Sequence, residues 1–142
     1  MNCELLFPGL VGSDYQLTSP PDLTYNCIAW AMGESDRWWW PDSQDIAFWP
    51  EGIERRETVE AFFKMFDRFG FERIDTEQLE PGKDRIALFA IGAKPTHLSR
   101  QLPSGRWASK LGSGVDIEHE LTALEGEEYG KVIAIISRPN RP

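Results

Sequence analysis

Cysteine and histidine are scarce in this chain: the 142 residues include only Cys3, Cys27, His97 and His119. These four share no tight spacing of the CxxC or HxxxH kind, so no metal site is expected and no cofactor is implied. Two cysteines make at most one disulfide, and without an export signal reduced thiols are expected. Positive charge is also in short supply. Fifteen basic against 23 acidic residues leave a net charge of -8, which repels phosphate backbones and anionic membrane surfaces, so nucleic acid is not an expected partner. No apolar run approaches the ~18 residues of a membrane span. The opening MNCELLFPGLVGSDY carries Glu4 where a secretory signal would be positive, and Pro8 and Gly9 break its apolar stretch. No signal peptide is read there, and a cytoplasmic location is expected. No glycine-rich phosphate loop precedes a helix, and GSG at 112–114 reads as a turn. The carboxylates are too scattered for a glycosidase pair.

What is present has an ordinary globular balance, 41% hydrophobic and 27% charged, and the length suits one domain over 1–142. Residues 1–23, with Pro8, Gly9, Gly12, Pro20 and Pro21, read as an irregular arm ahead of a core over 24–142. Thr24 is a candidate N-cap for a helix through YNCIAWAM that Gly33 closes. The following ESDRWWWPDSQDIAFWPEG reads as a long loop held by its four tryptophans. From Thr58, Val59, Phe62, Phe63, Phe66 and Phe69 recur at helical spacing up to Gly70. Beyond it, FERI and the buried run RIALFAI read as strands. THLSRQL and RWASKL flank Pro103, Ser104 and Gly105 as a β-hairpin. DIEHELTALEG places Ile117, Leu121 and Leu124 on one helical face, and KVIAIIS is a last strand. The fold class is α+β with a mainly antiparallel sheet.

Cys27 falls in the first turn of its predicted helix, where unpaired N–H groups lower a thiol pKa and could stabilise an oxyanion. The other reading of Cys27 is a small buried hydrophobe beside Ile28 and Ala31. A cysteine nucleophile needs an imidazole within hydrogen-bond reach. His97, on a strand beside RIALFAI, is the candidate base. His119, between Glu118 and Glu120 on the predicted short helix, reads as a surface histidine. Asn26 and Trp38, Trp39 and Trp40 are the candidate substrate contacts. The tryptophans serve either as a stacking platform or as loop anchors beside Pro41.

A helix opened by Cys27, then RIALFAI, then the His97-bearing hairpin THLSRQLPSGRWASKLG resembles the papain-like superfamily, above all its compact NlpC-type branch. The likeness covers roughly residues 24–112 and is topological. It implies a papain-like fold, helices packed on an antiparallel sheet, with Cys27 as nucleophile, His97 as base and a polar residue on the next strand orienting the imidazole. At that third position the chain offers only Ser109, a weak orienter, so His119 and Asp116 rank slightly above it. A closer likeness, over most of the chain, is to small bacterial domains of no assigned activity that carry the same YNCIAWAMG, WWWP, FWP, THLSRQL, WASKLG, DIEH and EGEEYG. The expected function is a cysteine-dependent hydrolase or acyltransferase acting on a peptide, a protein or a small acyl substrate. The alternative is a non-catalytic binding module that uses the tryptophan-rich loop.

Overall fold

A computed structural model of the chain describes residues 3–19, 24–111 and 114–139. Its elements run α1 (Cys3–Leu6), a 3-10 turn (Pro8–Leu10), β1 (Gln16–Ser19), α2 (Cys27–Ala31), α3 (Val59–Arg68), β2 (Glu72–Ile74), β3 (Lys83–Ile91), β4 (Lys94–Gln101), β5 (Trp107–Lys110), β6 (Asp116–His119), a second 3-10 turn (Leu121–Leu124) and β7 (Lys131–Pro139). Seven strands form one sheet in the order β1-β6-β5-β4-β3-β7-β2. Every pairing within it is antiparallel, so the α+β expectation holds. No described helix is long and apolar enough to cross a membrane.

The strongest periodic signal gives the longest helix. Thr58 caps α3 by accepting a hydrogen bond from the Ala61 N–H, and Gly70, at φ +84°, ends it. Phe62 and Phe66 are buried on the sheet side together with Met65, and each buried phenylalanine contributes roughly 2 kcal/mol. Strand β3 is buried continuously from Ile86 to Ala90 because both faces of the sheet are covered. Ile86 and Leu88 pack with α2, α3 and the loop tryptophans Trp39 and Trp49. Ala87 and Phe89 pack on the other face with Phe7, Leu10, Trp107, Ile117, Leu121 and Leu124.

Two expectations change. The arm over 1–23 is ordered across its described part: Phe7 and Leu10 are buried against the second face, and β1 pairs along β6 as an edge strand, Gln16 opposite Glu118. Four residues of strand are too few to show a period. Pro20 and Pro21 lie outside the described residues, as do Gly112 and Ser113 of the expected GSG turn. The second change is in DIEHELTALEG, which does not form a helix. Asp116–His119 is strand β6, held by β5 on one side and β1 on the other, and the chain turns at Glu120 into the 3-10 segment. Ile117, Leu121 and Leu124 still reach one core. A strand followed by a tight turn satisfies the same apolar spacing that a helix would.

The loop before β7 is tied by reciprocal backbone hydrogen bonds between Gly126 and Gly130. Gly130 sits at φ +76°, and a Cβ there would overlap the Ala90 carbonyl oxygen. Gly130→Ala should lower stability by on the order of 3 kcal/mol, left-handed strain and overpacking together. A urea midpoint equal to that of the unsubstituted protein would refute this account of the turn.

Candidate functional site at Cys27

Asn26 sets the geometry. Its backbone is extended, and its side-chain Oδ1 accepts from the Ala29 N–H, which makes Asn26, two residues after Thr24, the N-cap of α2. The same oxygen accepts from the Trp39 N–H at 3.0 Å, while Nδ2 donates to the Trp39 carbonyl at 2.6 Å. The side chain expected to contact substrate is therefore taken up in joining the helix start to the tryptophan loop.

Cys27 is the first residue of α2 and is buried. Burial raises its thiol to about 11, against the opposing pull of hydrogen bonds from the N–H groups of Leu98, Ile28 and Cys27 itself and of the Lys110 charge. At neutral pH the sulfur is an uncharged thiol. The favourable N–H setting expected from the sequence is present, and desolvation outweighs it.

His97 lies on β4 directly before Leu98, and neighbouring side chains on a strand project to opposite faces. Leu98 belongs to the core that holds Cys27. His97 stacks on Tyr129, ring centroids 4.1 Å apart and planes 5° apart, and meets the edge of its cross-strand neighbour Phe89. It is 1% exposed, and neither ring nitrogen has a hydrogen-bond partner. Burial, with a smaller contribution from His119, holds it well below the ordinary histidine value, so it is neutral. No hydrogen bond joins Cys27 to His97.

The third-residue candidates divide between the faces. His119 is no surface histidine: it is fully buried on β6, and its Nε2 lies 2.7 Å from the Ser109 hydroxyl, which lies 2.7 Å from that of Ser99. Its Nδ1 faces the Glu120 carbonyl, which can only accept. The proton therefore sits on Nδ1, Ser109 donates to Nε2, and Ser99 donates to Ser109. Ser109 thus orients His119 rather than His97. Asp116 is on the Cys27 side, where its Oδ2 accepts from the Tyr25 hydroxyl at 2.8 Å. Beside it Lys110, fully buried, donates to the Gly114 carbonyl and lies over the Tyr25 ring.

Cys27, Asn26, Trp38, Trp40, Thr96 and Tyr129 line a cavity of about 310 Å³. A second cavity, of about 420 Å³, shares Trp38 and Trp40 and continues past Asp42, Gln44 and Glu57. Trp38 is 37% exposed, whereas Trp39 is buried against Phe48 and donates its indole N–H to Glu34. Of the three tryptophans, the middle one is an anchor and the outer two are walls. Among the described residues no group of three or more His, Cys, Asp or Glu is placed to hold a metal ion. Lys110, Tyr25 and Tyr129 were not singled out from the sequence. For Lys110 the signal was present: in Trp107–Lys110, period-2 alternation puts it on the face opposite Trp107.

Two measurements check these electrostatics. In a Cys3→Ala background, the iodoacetamide rate at Cys27 should rise with pH toward a midpoint near 11, against about 8.5 for an ordinary thiol; a midpoint at or below the ordinary value would contradict the buried neutral thiol. For His119 the folded value is lowered to about 4 by burial, so the unfolded state binds its proton first as pH falls. Stability contributed by neutral His119 is complete above about 6.5 and declines toward pH 4, by on the order of 3 kcal/mol. Urea unfolding should show that decline, and His119→Gln should reduce it. Equal declines in both proteins would count against His119 as a source.

Neither curated proteins nor solved structures provide a match to this chain. A family model does: it runs from the first residue of β1 to within two residues of the end of β7 and includes every side chain of the Cys27 site. By that match over residues 16–137, the chain belongs to the family described as Domain of unknown function (DUF7689).

Proposed function

We propose that this is a binding module of papain-like plan, whose cleft takes a peptide, a protein segment or a small acyl compound between Trp38 and Trp40. One observation carries the reading: the same two indoles wall both cavities, and one of those cavities ends on Cys27. The Asn26 amide and the Thr96 hydroxyl are already engaged within the protein. Recognition therefore falls to ring faces, which bind apolar and amide groups with offset or edge geometry. The papain-like part rests on element order, a cysteine-initiated helix packed on β4, with His97 on that strand and Ser109 on the next.

A second reading, cysteine-dependent hydrolysis or acyl transfer, is favoured by two details. The backbone N–H groups of Leu98, Ile28 and Cys27 itself favour the thiolate, and His97 is a buried neutral imidazole with both nitrogens free of hydrogen bonds. In that chemistry the thiol would attack an acyl carbon as its proton passed to His97. The N–H groups would hold the oxyanion, and the proton would then go to the leaving group. His97 would first have to turn from Tyr129 toward the sulfur.

The two readings separate in one set of titrations with N-acetyl-leucyl-phenylalaninamide followed by 1H–15N NMR. Binding should shift the indole N–H signals of Trp38 and Trp40, and Trp38→Ala should weaken it about fivefold, the loss of roughly 1 kcal/mol of ring contact. Shifts confined to other parts of the protein would overturn the cleft assignment. Turnover of p-nitrophenyl acetate that disappears in both Cys27→Ala and His97→Ala would replace the first reading with the second.

A further inference from the structure

We propose that the cleft selects a basic side chain of a peptide, its charge held by the ring faces of Trp38 and Trp40 and by the Glu57 carboxylate. The inference rests on the binding reading of that cleft and adds the charge of what it takes. It starts from how the protein treats its other aromatic rings. On the α2 and α3 side of the sheet, Trp30, Phe48 and Phe63 edge the core as partly buried rings. Each lies under an arginine: Arg100, Arg37 and Arg73 stand 4.1, 3.5 and 4.4 Å from the respective ring centroids. Phe69, on the same rim, packs on Trp39 instead. Trp40 also belongs to this rim, yet among the described residues neither it nor Trp38 has a lysine or arginine over its ring. Tryptophan is the side chain whose face attracts a cation most strongly. The two uncovered indoles are the ones that wall both cavities.

The charge around those walls has one sign. Asp42 and Glu57 line the larger cavity, with no lysine or arginine beside them in its lining. In the smaller one the ionisable groups are Cys27 and Tyr129, both kept neutral by burial. Asp42 is already engaged: it accepts from the Ile46 and Ala47 N–H groups and pairs with Arg55 at 3.2 Å. Glu57 is not. Its Oε1 accepts from the Trp40 indole N–H at 2.9 Å, and this is its only hydrogen bond or ion pair among the described residues.

A carboxylate in that place does two things. It orients the ring, and by drawing on the N–H it polarises the indole so that its face becomes more negative. Its second oxygen supplies the formal charge that an ammonium in the cleft would meet. At long range the net charge of -8 attracts a basic segment. Cavities of about 310 and 420 Å³ are of a size to enclose more than a lone ammonium, which favours a cation carried on a chain over a small amine.

The test compares N-acetyl-lysyl-phenylalaninamide with N-acetyl-norleucyl-phenylalaninamide, titrated into the full chain and followed at the Trp38 and Trp40 indole N–H signals. The two peptides share a straight alkyl stem and differ in the ammonium. The lysyl peptide should bind about fivefold more tightly, and raising sodium chloride from about 0.1 M to about 1 M should shrink the difference. Glu57→Gln keeps an acceptor for the Trp40 N–H and removes the charge. It should weaken the lysyl peptide about threefold and leave the norleucyl peptide unchanged. Glu72→Gln removes an exposed charge on β2 that lines neither cavity, and should alter neither affinity. Equal affinities for the two peptides would overturn the charge preference while leaving the binding reading in place. So would a lysyl affinity that Glu57→Gln does not change. Indole signals that neither peptide shifts would overturn the binding reading and this inference together.

Discussion

The Asn26 side chain is the hinge on which the site depends. With three hydrogen bonds it caps α2, fixes the backbone of Trp39 and sets Cys27 as the next residue. Each such bond is worth about 1 kcal/mol net, but an unmade one would leave a buried Trp39 backbone group unsatisfied at a cost of about 1–3 kcal/mol. The consequence is geometric as much as energetic. With Trp39 pinned and buried, its neighbours Trp38 and Trp40 stand on either side of the anchor as walls of both cavities. A loop of this length would otherwise cost considerable ordering entropy. Arg55 fastens its far side to Asp42 and to the Ala47 carbonyl.

Much of the scaffold was legible in the sequence because it is periodic. Helix α3, strands β3 and β7 and the β4–β5 hairpin all announce themselves through apolar spacing or turn residues, and Cys27 does open a helix. The N-terminal strand and β6 were not legible for a shared reason: each has four residues and gains its place from the neighbours it pairs with. Asp116–His119 has one apolar residue among three polar ones, yet three of the four are buried. Tertiary pairing decided that segment, and with it the burial of His119. Nor can a sequence show which face of β4 His97 takes. That depends on a register set by β3 and on where α2 meets the strand.

Cys27 shows how two correct local arguments can oppose one another. N–H groups at the start of a helix do favour a thiolate, and burial among Ile28, Leu98 and the loop tryptophans favours the thiol; burial is the larger effect. A site of this kind rests uncharged and becomes a nucleophile only if something changes its surroundings. The partnerless His97 nitrogens and the engaged Asp116–Tyr25–Lys110 group mark the two directions from which such a change can come.

The middle of the sheet is tied by side chains as well as by its backbone ladder. Strands β4 and β5 pair at Arg100–Ala108 and Gln101–Trp107. On the α2 face the Leu98 N–H pulls the Cys27 thiol down against the larger effect of burial. At the same level, on the opposite face, the Ser99–Ser109–His119 chain joins β4, β5 and β6 through hydroxyls and an imidazole. Such a chain holds only while each group keeps its partner, because a half-satisfied buried network is costlier than none. Because every group in it is satisfied, Ser99, Ser109 and His119 can be buried in a sheet whose β3 and β7 strands are lined with isoleucine, leucine and phenylalanine.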